Sequence, residues 1–320
     1  MLMERCRPLA RPAFRALFGH SVLVLAAALA LAGCGRGRGS GGSGRIATPP
    51  PAPGTTAVPA RDTARAPATS VETPAAAATI LRYGTFPLAS EDSLRALPRR
   101  FGPESLAVVL RLNRVDLEHA RLGDTLVVPS IFDLARLAPF PDTLPSARAL
   151  PKLIVVSARV QAFGAYEAGR LLRWGPTSTG RKEKTTPAGL YHTNWRQRRR
   201  VSTFNDEWVL NWYINLSNFD GISLHQYELP GRPASHSCVR LLEDDAAWLY
   251  HWADTWTLVP GDRRRIERQG TPVVVMDAYA FGHRRPWKRL PEDPRATTLA
   301  PDSIATALRR WAVVEADSAR

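Results

Sequence analysis

The sequence predicts a mainly β domain carrying one prominent helix, preceded by a small strand–helix–helix–strand unit. Three observations lead there. Between residues 152 and 277, short apolar and β-branched runs such as Leu153-Ile154-Val155-Val156 and Val273-Val274-Val275-Met276 alternate with turn residues. Between 79 and 130, two stretches of helical spacing sit between two short strand-like segments. Before residue 79 neither periodicity occurs, and nine of the chain's 27 Pro lie there, seven of them between 49 and 74.

The N-terminus reads as an export signal. Arg5, Arg7, Arg11 and Arg15 precede the apolar run from Val22 to Ala32, which ends in small residues and is too short to cross a bilayer comfortably. Leu31-Ala32-Gly33-Cys34 resembles the bacterial lipobox, which implies cleavage before Cys34 and its lipidation. Residues 1–33 are therefore expected to be a signal peptide, and the chain an envelope lipoprotein facing the periplasm and anchored to a membrane. Gly35 after the cysteine is compatible with the outer membrane. Residues 34–78, rich in Gly, Ser, Pro, Ala and Thr, cannot bury enough surface to offset their ordering entropy and read as a semi-extended tether. The formal charge of +14 suits phosphate, anionic lipid or acidic polymer. Export argues against nucleic acid.

Order resumes at Thr79-Ile80-Leu81-Arg82-Tyr83. Residues 90–100 and 103–112 carry helical stripes, with Pro103 suited to a first turn, and Thr125-Leu126-Val127-Val128-Pro129 reads as a strand. Leu112-Asn113-Arg114-Val115-Asp116 followed by Leu122-Gly123-Asp124-Thr125-Leu126-Val127-Val128-Pro129 resembles the second half of a LysM domain, which implies a βααβ unit over 79–130 and a glycan strand as a partner. The Gly-Asp-Thr-Leu usual in the first half is absent, and a spacer that kept the fold alone is the alternative. Residues 131–150 read as a Pro-containing linker.

In the β-rich region, 161–166 is expected to pair with 170–174 across Glu167-Ala168-Gly169, and 208–216, 221–225 and 271–276 read as further strands. A helix is expected from near Val239 to about Trp252, with Leu242, Ala246, Leu249 and Tyr250 on one side. Trp248, Trp252 and Trp256, spaced near four, read as a core stripe. The segment 278–320 reads as a basic tail with a helix expected over 302–314.

The chemistry concentrates in His225 and Ser235-His236-Ser237-Cys238-Val239-Arg240-Leu241. Cys6 and Cys34 fall in the export segment, which leaves Cys238 without a protein partner. A thiol nucleophile needs a base, and His236 lies two residues away. The expected helix places Cys238 at its N-terminus, lowering the thiol pKa and supplying backbone N–H groups for an oxyanion. Taken alone, His-x-Cys fits a buried, inert thiol equally well. A zinc site from His225, His236 and Cys238 lacks a fourth ligand, and no phosphate-cradling loop or paired-Cys motif occurs, so no metal or cofactor is expected.

The wider pattern separates these readings. Ser178-Thr179-Gly180, Thr186-Pro187-Ala188-Gly189, Asn211-Trp212-Tyr213, Ile222-Ser223-Leu224-His225 and the 235–241 heptad resemble, in order, the blocks of the L,D-transpeptidase catalytic domain of the YkuD family, over 151–277. The resemblance implies a β-sandwich-like domain and acyl transfer on peptidoglycan stem peptides. It makes Cys238 the nucleophile and His236 the base. His225, Ser235, Ser237, Val239 and Arg240 are then pocket or oxyanion residues, and Arg240 either orders the loop or meets a substrate carboxylate. Carboxypeptidase action, a non-catalytic wall-binding role and another kind of thiol peptidase are the alternatives. Ser237 stands where the family usually has Gly, a residue suited to positive φ. The insert 196–200 reads as a solvated basic loop meeting acidic polymer.

Overall fold

The computed structural model describes residues 80–202 and 205–318. The expected signal peptide, the tether, Cys6 and Cys34 lie outside these residues.

The first folded elements are a strand β1 (Tyr83–Pro87), a short helix α1 (Glu91–Arg95), a longer helix α2 (Leu97–Asn113) and a strand β2 (Thr125–Pro129), with β1 and β2 antiparallel. Ser90 and Ser93 form a reciprocal capping box that starts α1. Gly102, at φ 71°, breaks the helical path and lets Pro103 open a fresh turn, so the two stripes fold as separate segments. Leu88, Leu97, Leu106, Val109 and Leu126 close a small core between them.

The main domain is one sheet of nine strands. These are β3 (Lys152–Ser157), β4 (Ala162–Glu167), β5 (Arg170–Ser178), β6 (Gly189–His192), β7 (Arg196–Val201), β8 (Val209–Asn215), β9 (Ser223–Gln226), β10 (Val239–Leu241) and β13 (Pro272–Met276). A separate ribbon pairs β11 (Thr257–Leu258) with β12 (Ile266–Arg268). The order across the sheet is β6-β13-β3-β4-β5-β10-β9-β8-β7. The sandwich-like expectation takes the form of one continuous ladder: β10 pairs antiparallel with β5 on one side and parallel with β9 on the other, joining both halves.

Both sheet faces are covered, which is why β3 reads as an unbroken apolar run rather than an alternating one. Leu153 and Val155 face a core with Tyr166 and Val274, and Ile154 and Val156 face another with Phe163, Leu224 and Val239. Over the first face lie residues 131–150, whose Leu137, Phe140, Leu144 and Ala147 are buried, so this stretch is packed structure and not a free connector. Over the second lies helix α3 (Glu243–Trp252), through Ala246 and Leu249. Trp248 and Trp252 stack, half-buried, at the margin of that core.

Two more expectations change. Residues 239–241 are a strand and not the first turn of a helix, because Val239 and Leu241 are needed on one sheet face with Arg240 on the other. Glu243, Asp244 and Asp245 mark the true helix start. The basic insert is edge strand β7, not a loop. Its alternate arginines lie over aromatic rings, Arg196 on Tyr250, Arg198 on Trp212 and Arg200 on Trp195. Charged side chains on an edge strand also discourage sheet-to-sheet association.

The tail is a strap. Trp287 and Leu290 are fully buried against Leu112 and Val127, and the Lys288 ammonium donates to Asn113 Oδ1 at 2.9 Å. Helix α4 (Pro301–Ser318) follows, with Ile304 in the first core. Arg114 ties three parts together. Its guanidinium lies between Trp174 and Trp287, 5.5 and 5.6 Å from their centroids, and donates to the Val160 carbonyl at 3.0 Å. Full burial pulls its pKa down to about 9.

An ionic clamp completes the union. The Asp245 carboxylate, with no exposed surface, accepts from Arg111 of α2 at 2.6 Å and from Arg173 of β5 at 2.7 Å. Burial raises its pKa, and the two guanidinium charges oppose that rise. Removing one partner of a buried pair strands the other, so Asp245→Ala is expected to cost about 3–5 kcal/mol. Asp244, whose side chain is 61% exposed, should cost less than about 1 kcal/mol when replaced by Ala. Urea denaturation midpoints of the two variants check this difference.

Candidate active site

The site is built on the parallel pair β9 and β10, in the register Val239↔Leu224 and Arg240↔His225. Side chains alternate along each strand. Val239, Leu241 and Leu224 point into the core, each fully buried. On the other face, His225, Arg240 and Cys238 line a narrow cleft with Ser235, His236, Trp208 and Tyr227. Cys238 lies one step before β10 and meets Ser223, the first residue of β9, with Sγ and Oγ 3.1 Å apart. The thiol also donates to the Gly221 carbonyl at 3.1 Å.

Five of the residues singled out in the sequence thus converge: Cys238, His236, His225, Ser235 and Arg240. Two do not line the cleft. The Val239 side chain belongs to the core, and the Ser237 hydroxyl turns toward the Lys184 carbonyl. Cys238 is not at a helix mouth either, since α3 begins five residues later at Glu243. The expected drop in thiol pKa is correspondingly reversed. Burial pushes the Cys238 thiol up, with Ser223 and the Arg240 charge pulling in the other direction.

The nucleophile loop is braced by the upstream blocks. The Ser235 amide donates to the Thr179 carbonyl at 3.1 Å, and its hydroxyl donates to the Cys238 carbonyl at 2.5 Å. Thr186 Oγ1 accepts from the Gly180 amide at 3.0 Å and donates to the Ser237 carbonyl at 2.9 Å. Ser237 itself has φ 78°, in the left-handed region that favours glycine.

The two imidazoles differ. His225 is buried, and its Nδ1 lies 3.0 Å from the Gln226 carbonyl. A carbonyl only accepts, so Nδ1 carries the hydrogen and Nε2 keeps a lone pair. Burial, reinforced by the Arg240 charge, lowers the His225 pKa to about 4. His236 is half-exposed with its ring edge-on to Trp208 at 5.2 Å. Its pKa is lowered by burial first, then by the charges of Arg181, Arg240 and Lys184. The Arg240 guanidinium stacks on Tyr227 at 4.5 Å and reaches the Glu228 carbonyl at 3.5 Å. Burial lowers its pKa, with Tyr227 and Glu228 resisting.

The small N-terminal unit holds the lip carrying Tyr227 and Glu228. The Leu229 amide donates to Asp116 Oδ2 at 2.7 Å, the Asp116 amide to the Leu229 carbonyl at 3.0 Å, and the Gly231 amide to the Arg114 carbonyl at 3.0 Å. His119 bridges Asp116 Oδ1 at 2.6 Å and Glu228 Oε2 at 3.4 Å. Sequence reasoning missed this lip, and it missed Ser223, Trp208 and Tyr227 as site residues. Ser223 was visible as part of a strand and of the block Ile222-Ser223-Leu224-His225, but nothing local joined it to Cys238.

No curated protein matches the chain in sequence. Similar solved structures include an L,D-transpeptidase from Mycobacterium smegmatis, 20% identical over 40% of this chain and 59% of that one, with a TM-score of 0.32. Another, from Stackebrandtia nassauensis, is 16% identical over 58% of this chain and 77% of that one, with a TM-score of 0.34. One from Enterococcus faecium is 18% identical over 39% and 50%, with a TM-score of 0.31. This chain therefore spans 59% of the length of the first. Residues 151–275 match the family model of the YkuD domain, and this segment is an L,D-transpeptidase catalytic domain.

Proposed function

We propose that the chain is a peptidoglycan transpeptidase that forms 3–3 cross-links through a Cys238 acyl-enzyme. The observation that carries this is one cleft collecting an unbridged thiol, two imidazoles and a cation. Sγ attacks the carbonyl joining the third stem residue to terminal D-alanine. The new S–C bond forms as the C–N bond breaks, and the thiol's proton leaves with D-alanine by way of an imidazole. A side-chain amine of a second stem then attacks the thioester, displaces sulfur and returns a proton to it. Water in place of the amine gives carboxypeptidase action. The oxyanion falls to backbone N–H groups of the Ser237–Cys238 turn, since successive amides in a turn form an anion-binding nest. Arg240 meets a substrate carboxylate. The βααβ unit's likeness to LysM supports glycan contact, and the Cys34 lipobox supports an envelope lipoprotein.

The motif makes His236 the base, but the fixed tautomer favours His225. Its Nε2 lone pair and its place in the Cys238–Arg240 row suit proton acceptance, and its low pKa keeps it neutral. His236 then shapes the cleft against Trp208. Under this assignment His225→Gln lowers kcat more than His236→Gln does. An imidazole acting as base must be neutral. With His225 at about 4, kcat/KM for D-alanine release is expected to hold as pH falls through 6.5 and to drop only as it approaches about 4. A pH–rate profile on disaccharide-tetrapeptide reads this directly.

A second reading, wall binding without catalysis, is favoured by one observation, the positive φ of Ser237. Relieving it separates the two. Ser237→Gly is expected to raise stability by about 1 kcal/mol, seen as a higher melting temperature. It should also leave turnover equal or faster. For the main reading, mass spectrometry of protein incubated with disaccharide-tetrapeptide should show a Cys238 thioester and released D-alanine. Cys238→Ala should abolish both, and intact sacculi bound with neither signal would establish the second reading.

A further inference from the structure

The Cys238 sulfur lacks the stabilisation that a helix N-terminus would have supplied. Helix α3 starts five residues further on, at Glu243. Burial disfavours the thiolate. Any anion formed at this sulfur depends on the polar groups around it, among them the Ser223 hydroxyl and the Gly221 carbonyl, each 3.1 Å away.

The two do opposite things. The Gly221 carbonyl only accepts, so it serves the protonated thiol and opposes the anion. The Ser223 hydroxyl can accept from the thiol or donate to the thiolate by rotating about its C–O bond. Ser223 has no exposed surface, and a hydrogen bond to a charged acceptor is stronger in such surroundings than in water. Its position is fixed by the sheet, because the register Val239↔Leu224 sets Ser223 beside Cys238 without any loop adjustment. Ser223 also contributes a backbone hydrogen bond to the sulfur.

We propose that Ser223 is the thiolate-positioning residue of this site, its hydroxyl hydrogen turning onto the Cys238 sulfur as the proton leaves toward an imidazole. The inference rests on Cys238 being the nucleophile, but it concerns the sulfur's acidity and not the identity of the substrate. The hydroxyl takes over the role that a helix dipole plays in other thiol sites. It also holds Sγ on the cleft side of the sheet, in line with His225 and Arg240.

The test reads the sulfur directly, without a cell-wall substrate. The full-length protein is treated with iodoacetamide across a pH series, and alkylation is quantified by mass spectrometry on the peptide bearing Cys238, so that Cys6 and Cys34 do not interfere. The thiolate displaces iodide, forming an S–C bond, and the thiol's proton goes to buffer. Ser223→Ala is expected to shift the alkylation profile up by about one pH unit, making reaction at pH 7 about tenfold slower. Ser223→Thr, which keeps the hydroxyl, should restore most of the rate. Melting curves establish that each variant is folded. An Ala profile superimposable on the parent's overturns the proposal. So does a Thr variant that is folded and as slow as Ala, since the loss would then come from packing and not from the hydroxyl. A shifted profile in a protein that releases no D-alanine would leave this inference standing and remove the proposed reaction.

Discussion

The site depends on the register of two very short parallel strands. β9 has four residues and β10 three, and their pairing decides which side chains meet. A slip of one residue would send Cys238 and Arg240 into the core and turn Val239 and Leu241 toward the cleft. Burial prevents it. Leu224, Val239 and Leu241 are fully enclosed on one face, and burying each such side chain contributes roughly 1.5–3 kcal/mol. The opposite neighbour fixes β10 a second time, through Arg240↔Ser178 and Leu241↔Thr177. The nucleophile is therefore aimed by core packing, and the turn before it has only to arrive at the right place.

That arrival explains the company the nucleophile segment keeps. Thr179, Gly180 and Thr186 hold the backbone of Ser235 and Ser237, and Asp116 and Arg114 hold the segment that carries Tyr227 and Glu228. The small N-terminal unit is thus a wall of the site's surroundings as well as a candidate wall-binding module. Its attachment by Arg111, Arg114 and the strap at Trp287 couples stability across the molecule. Buried charges are costly to desolvate, and here each is matched by named partners, Asp245 by two guanidinium groups and Arg114 by carbonyls and two indole faces. Such pairing is geometrically demanding, which favours one relative placement of these elements over any other.

Much of this was legible in the residues, and the failures have physical reasons. Leu153-Ile154-Val155-Val156 announced a strand buried on both sides, and Glu167-Ala168-Gly169 announced a hairpin, with Ala168 and Gly169 both at positive φ as a tight turn requires. The helix at Leu242, Ala246 and Leu249 was visible, but its start was drawn too early. Helical spacing from those residues runs smoothly back through Val239, and only the sheet partners of β10, distant in sequence, claim that residue instead. The Arg196–Val201 strand was hidden for a related reason. Alternate arginines look solvated until Tyr250, Trp212 and Trp195 are brought beneath them. The nearness of Ser223 to Cys238 belongs to the same class, since parallel pairing joins segments that share no local signal. Core and motif were written locally, and what the sheet juxtaposes was not.

The protonation state at rest follows from this architecture. A thiol raised by burial beside an imidazole lowered to about 4 stays neutral, and so does its partner, giving no standing ion pair. Oxidation proceeds through the thiolate, so a protonated sulfur resists sulfenic acid formation and stray disulfide exchange. For Cys238, the one cysteine among the described residues, that is a useful resting state. The cost falls on catalysis, because the proton must be moved within the enzyme–substrate complex. Displacing water from the narrow cleft removes solvation from the sulfur, and the proposed approach of a carboxylate to Arg240 would screen a cation that favours the anion, so both act against the thiolate. A hydroxyl able to donate at the moment of attack is then the group whose contribution does not weaken when substrate arrives.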